Sequence, residues 1–128
     1  NYTNETLADK SVFIIDTIGL LTKIYSYADI AYIGGGMGTT GLHNTLEAAT
    51  FGLPIVIGKN YEKFPEAKAM LSKCGLFSIC DFETLESTLN MLINTPKKRS
   101  EFGQKNKAFV EENKGASELV MTVLKHNF

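Results

Sequence analysis

A run of glycines, Gly34-Gly35-Gly36-Met37-Gly38-Thr39-Thr40-Gly41, stands between the apolar segment Ile30-Ala31-Tyr32-Ile33 and a stretch of helical patterning from Asn44 to Phe51. Strand, glycine-rich loop, helix is the local order in which a parallel sheet presents a ligand at the carboxyl ends of its strands. A tight turn requires positive φ at one or two residues, and five glycines in eight exceed that requirement. Glycines let backbone amides approach an anion closely. The start of the following helix adds a partial positive charge of about half a unit. Phosphate is the guest that suits such a loop.

The rest of the chain repeats the alternation. Val12-Phe13-Ile14-Ile15 reads as a strand buried on both faces, followed by capping oxygens at Asp16-Thr17 and a helix over 18–28 carrying Leu21, Ile24, Tyr25 and Ala28. Gly52 closes the helix after the glycine loop, and Pro54-Ile55-Val56-Ile57-Gly58 gives another buried strand. A stripe of Phe64, Ala67, Leu71 and Cys74 ends at Gly75. Leu76-Phe77-Ser78-Ile79-Cys80 forms a further strand, and Asp81 caps a helix with Leu85, Leu89 and Leu92. From Thr95-Pro96, with Thr as cap and Pro in the first turn, only helical periodicity remains: Phe102, Phe109 and Val110, then Leu119, Val120, Val123 and Leu124. Short connections between strands and helices predict an α/β fold, a parallel sheet with helices on both faces.

With 128 residues, 44% apolar and 21% charged, the chain suits one folded domain. Its formal net charge of −1 gives no bulk attraction for nucleic acid, and Lys97-Lys98-Arg99 reads as a solvated first helical turn. Cys74 and Cys80 lack His or acidic partners at ligand spacing, so they read as two buried thiols and no metal site is expected. No apolar run approaches the length of a membrane helix. The polar opening Asn1 to Glu5, without an initiating methionine, reads as a piece of a longer protein.

Gly36-x-Gly38-x-x-Gly41 matches the dinucleotide fingerprint. That site also expects an acidic residue at the end of the next strand, where this chain has Ile57-Gly58-Lys59-Asn60. A nucleotide-triphosphate loop is excluded because no Gly-Lys-Ser/Thr follows. His43-Asn44-x-x-Glu47 brings three polar side chains to the mouth of the loop. As local structure alone, Asn44 is a helix cap and Glu47 a favourable first-turn charge. One His and one Glu are too few for a metal, and no nucleophile sits on a sharp elbow. His126 reads as an exposed helix-end residue.

Asp16-Thr17-Ile18-Gly19, Ala28 to Gly36 and His43-Asn44-Thr45-Leu46-Glu47-Ala48-Ala49 together resemble the C-terminal domain of 3-deoxy-D-manno-octulosonic acid (Kdo) transferases. Gly52 to Gly58, Tyr61 to Ala67 and Asn113-Lys114-Gly115-Ala116 extend the likeness over nearly the whole chain. The resemblance implies two facing Rossmann-like domains of the GT-B kind. Residues 1–128 would be the later part of the C-terminal nucleotide-sugar-binding domain, without the N-terminal acceptor domain.

The implied reaction moves Kdo from CMP-Kdo to the lipid A precursor of lipopolysaccharide, with inversion, at the cytoplasmic face of the inner membrane. No cofactor or metal is expected. Carried across, Gly35, Gly36 and Gly38 would cradle the CMP phosphate, with Asn44 supporting it and Glu47 on the ribose, and Gly41 and His43 would complete the donor-binding set. Many relatives carry Pro-Arg where Thr39-Thr40 stands. The cationic contact would then fall to Lys59 or an upstream residue, or the loop would use amides alone.

The resemblance places no catalytic residue in this fragment, which would be soluble and inactive, its general base lying in the N-terminal domain. The last two helices would pack toward that domain and could mediate self-association. The alternatives are another GT-B transferase or epimerase using a UDP-sugar, and a non-catalytic nucleotide- or dinucleotide-binding module.

Overall fold

The computed structural model describes residues 10–115 and 121–124. Three parallel strands, β1 (Ala31–Ile33), β2 (Ile55–Gly58) and β3 (Leu76–Ile79), form one sheet in that order. Ala31 lies opposite Ile55 and Ile33 opposite Ile57, while Ile55 faces Leu76 and Gly58 faces Ile79. Helices among the described residues pack around it: α1 (Leu21–Tyr25), α2 (Thr45–Thr50), α3 (Pro65–Lys73), α4 (Phe82–Asn94) and α5 (Pro96–Glu112). The central strand is apolar at every side chain because both faces are covered. Ile55 and Ile57 join Ala48, Ala49, Ala67 and Met70 on one face, and Val56 joins Ile79 and Leu92 on the other. Ile55, Val56 and Ile57 are wholly buried, each contributing about 1.5–3 kcal/mol of apolar transfer.

The helix termini follow their sequence signals in part. Asn44 accepts from the Leu46 amide at 3.0 Å to open α2. Asp81 and Thr84 form a reciprocal capping box on α4. These bonds from the Thr84 amide and hydroxyl, with one from Cys80, hold the Asp81 carboxyl below the usual aspartate range. Thr95 does not cap α5 with its side chain; its hydroxyl donates backward to the Met91 carbonyl of α4 instead.

At the amino-terminal end of the strands, α5 is locked by Asn106. Its amide group donates to the carbonyls of Leu53 at 2.7 Å and Gly75 at 3.0 Å. Its side-chain oxygen accepts from the Gly75 amide at 2.8 Å. Three backbone groups at the starts of β2 and β3 are thereby satisfied by one fully buried side chain. Gly103, one turn earlier, permits the approach, since a Cβ there would overlap the Gly52 carbonyl.

Several expectations fail. Val12-Phe13-Ile14-Ile15 forms no strand, and its side chains are exposed, Ile14 at 83%. A short apolar strand is stable only when paired and covered. Among the described residues β1 pairs with β2 alone, and α1, reduced from the expected 18–28 to five residues, buries none of its side chains. Leu20 is the N-cap of α1, without a side-chain cap bond; Thr17 donates to its neighbour Asp16 at 3.3 Å.

The thiols are not buried: Cys80 is exposed at the strand end and Cys74 half-buried. Burial raises the Cys74 thiol above its ordinary value, with Glu112 adding to the rise. Arg99, expected as solvated, ties α5 to the loop before β1. It donates to Asp29 at 3.2 Å and to the Leu92 carbonyl at 3.3 Å, while Lys97 and Lys98 are exposed. Leu119, Val120 and His126 lie outside the described residues; 121–124 is helical, with Val123 and Leu124 half-exposed. Among the described residues no helix is long and apolar enough to cross a membrane.

Candidate functional site

The glycine loop leaves β1 at its carboxyl end, as the strand-loop-helix order requires. Gly35 has φ of +88°, and a Cβ there would overlap the Gly41 carbonyl and lie 2.7 Å from the His43 ring. Glycine is therefore required at position 35 on two counts. Gly36 is buried against Gly58, with a hypothetical Cβ 3.0 Å from the Gly58 nitrogen. Gly38 meets no such limit: its Cβ position is open and its φ is not positive. The His43 amide donates to the Gly34 carbonyl at 3.1 Å and closes the loop at its base.

The side chain of Asn44, besides capping α2, donates to Glu47 Oε1 at 3.1 Å. This fixes the carboxylate over the first turn. His43, Asn44 and Glu47 are exposed and, with Gly34, Tyr25, Tyr32 and Leu21, line a cleft of about 340 Å³. Tyr25 packs against Phe51, ring centroids 5.9 Å apart. Partial burial, and secondarily the Glu47 charge, raise its phenol above the ordinary value. Thr45, the first residue of α2, has a buried hydroxyl with no hydrogen-bond partner among the described residues.

On the other side of the loop, Gly38, Thr39, Thr40 and Gly41 line a second cavity of about 590 Å³ with Lys59, Asn60, Glu62, Lys63 and Phe64. The structure thus divides the seven expected residues: His43, Asn44 and Glu47 line one cavity and Gly38 and Gly41 the other, while Gly35 and Gly36 line neither. Asn60 was not singled out by the sequence. Its amide N–H donates to the Gly36 carbonyl at 2.8 Å, and its side chain to the Gly38 carbonyl at 2.9 Å. These bonds occupy loop carbonyls. A signal existed: β1 and β2 read as successive parallel strands, so the residues after Gly58 must lie beside the glycine loop.

Among the described residues no group of three His, Cys, Asp or Glu could hold a metal ion. The arrangement offers loop amides, a carboxylate suited to hydroxyl groups, and two ammonium groups beside Thr39 and Thr40. It contains no nucleophile paired with a base.

Comparison with known proteins places this geometry in a lineage. A 3-deoxy-D-manno-octulosonic acid transferase of Haemophilus influenzae is 32% identical over 126 residues, 96% of this chain and 30% of that protein. Its counterpart in Chlamydophila psittaci is 30% identical over 112 residues, 87% of this chain and 26% of that protein. The chain belongs to the Kdo transferase family. It spans about a quarter to a third of the length of these curated relatives. No family model matches.

Among solved structures, the C-terminal CMP-Kdo binding domain of WaaA from Acinetobacter baumannii superposes with a TM-score of 0.61 at 20% identity. The match covers 75% of this chain and 51% of that one. At that identity the likeness concerns the fold, and the parallel sheet of this Kdo transferase relative is Rossmann-like, as in one half of a GT-B enzyme.

Proposed function

We propose that this chain is the donor-binding part of a Kdo transferase, holding the CMP moiety of CMP-Kdo at the carboxyl end of its sheet. The observation that carries the reading is the Asn44–Glu47 pair beside the glycine loop that the His43 amide closes onto Gly34, within a chain similar to Kdo transferases over nearly its full length.

In this reading the amides of Gly35, Gly36 and Gly38 approach the CMP phosphate, Gly41 and His43 complete the loop, and Asn44 supports it. Glu47 accepts from the ribose hydroxyls, for which a carboxyl group held by Asn44 is suited. Amides already oriented toward the phosphate stabilise the charge that accumulates as it departs. By likeness to the family, the reading assigns the general base and the acceptor site to an N-terminal domain facing this one. Residues 1–128 then form the later part of the C-terminal domain. The complete enzyme would transfer Kdo, with inversion, to the lipid A precursor of lipopolysaccharide at the cytoplasmic face of the inner membrane. Exposed apolar residues such as Met121, Val123 and Leu124 are candidates for that domain contact or for self-association.

An amide-resolved NMR titration with CMP, UDP and NAD in parallel tests the reading. CMP is expected to shift Gly35 to Gly38, Asn44 and Glu47 selectively. Selective response to UDP would point to a UDP-sugar enzyme, and to NAD, to a dinucleotide module. Failure of all three to bind would remove the proposed donor site from this chain. Kdo transfer by the chain alone would overturn the assignment of the base elsewhere.

A further inference from the structure

Two cavities flank the glycine loop, and their charges differ. The cleft on the α2 side carries the Glu47 carboxylate among its lining groups. The 590 Å³ cavity on the β2 side carries Lys59 and Lys63. Its single lining carboxylate, Glu62, is ion-paired with Lys68 at 2.9 Å, and Lys59 also lies near Asp81, whose carboxyl it helps to lower. Lys59 follows Gly58, the last residue of β2, which packs against Gly36 of the loop, and Lys63 lies two residues before α3, next to Phe64, whose ring lies beside Gly41. Asn60 lies between them and is bonded to the Gly36 and Gly38 carbonyls. The backbone that carries Lys59 is thereby held against the glycine loop.

A Kdo nucleotide carries two anions, the phosphodiester and the carboxylate of the octulosonic acid. They sit on either side of one anomeric carbon. Resting on the donor reading above, we infer that the β2-side cavity is the sugar subsite and that Lys59 and Lys63 bind the sugar carboxylate. The phosphate stays at the loop amides and the nucleoside on the Glu47 side. The volume accommodates a monosaccharide, within the range of ordinary ligand pockets of about 300–1,000 Å³. Phe64 supplies an apolar wall for the carbon face of the ring. Two exposed ammonium groups acting together discriminate an acid from its neutral ester by about fivefold, so Lys59 and Lys63 are specificity-determining residues for an acidic sugar.

The chain is titrated with the methyl glycoside of Kdo as the free acid and, separately, as its methyl ester, each with and without saturating CMP, and amide shifts are followed. The acid is expected to shift Gly38 to Gly41, Lys59, Asn60 and Lys63, binding about fivefold more tightly than the ester. The double variant Lys59→Gln/Lys63→Gln, both exposed positions, is expected to bind acid and ester equally. Equal binding of acid and ester by the parent chain, or a preference that survives in the double variant, overturns the inference. The CMP titration reads the other cleft on its own. CMP shifts without an acid preference reject the sugar subsite and leave the donor reading standing, whereas an acid preference without CMP shifts rejects the nucleotide.

Discussion

The two ends of the sheet use the same residue types for opposite purposes. At the amino-terminal end, Asn106 is fully buried and satisfies three backbone groups, and Gly103 and Gly75 bring backbone against backbone. At the carboxyl end, Asn60 is exposed and holds two loop carbonyls, while Gly34 and Gly38 line open cavities. An asparagine that closes a core and an asparagine that shapes a binding loop differ in what becomes of the groups it releases. At the first site they stay buried and unpaired; at the second they meet water. Stability should therefore reside at one end and recognition at the other.

The largest expected effect tests the buried end. Asn106→Ala strands the Gly75 N–H and the Leu53 carbonyl in the core, while the Gly75 carbonyl keeps its bond from the Ile55 amide, and it is expected to cost about 3–4 kcal/mol by urea unfolding. Near-wild-type stability would break the comparison at its firmest point. Gly35→Ala comes next. Positive φ and overlap with the Gly41 carbonyl are expected to cost about 2–3 kcal/mol and to abolish CMP shifts. Gly38→Ala, with an open Cβ position, should change stability by less than about 0.5 kcal/mol.

Asn60→Ala sharpens the contrast, with a stability loss of about 1 kcal/mol or less but a fall in CMP affinity of about tenfold as the loop loses preorganisation. A loss comparable with that at Asn106 would show that the two asparagines do the same work. The smallest effect concerns Asp81. Its folded carboxyl is held below the usual range, so its contribution is present above the ordinary aspartate value and lost as pH falls through the depressed one. The urea midpoint of Asp81→Asn should fall less steeply than that of the parent chain over that acidic window.

What the sequence made legible divides along the same line between local and distant causes. β2 and β3 announce themselves as apolar runs between glycine, proline and aspartate. The α4 cap needs only Asp81 and Thr84, three residues apart. The glycine loop and the Asn44–Glu47 pair are contiguous, so their neighbourhood at one mouth could be read directly. Asn106 could not, because its partners Leu53 and Gly75 are 53 and 31 residues away, and an asparagine in a charged helix looks solvated. Lys63 was invisible for a similar reason: its role depends on which loop lies beside it. Val12 to Ile15 erred in the other direction. Composition specified a strand, but a strand also needs a ladder, and β1 pairs with β2 alone among the described residues. Thr95 obeyed the rule for a cap and still turned its hydroxyl back to Met91, a competition between two nearby carbonyl and amide partners that residue type does not decide.

The contact between Gly36 and Gly58 has an evolutionary consequence. A Cβ at position 58 would overlap the backbone of residues 36 and 37, and one at 36 would crowd residue 58. Neither site can accept a side chain while the other strand end stays where it is. Drift at either position is thus blocked singly, and escape requires a paired replacement that moves the two loops apart. Across a divergent lineage, positions 36 and 58 are expected to keep glycine jointly or to abandon it jointly, leaving a covariation signal between two residues that exchange no hydrogen bond.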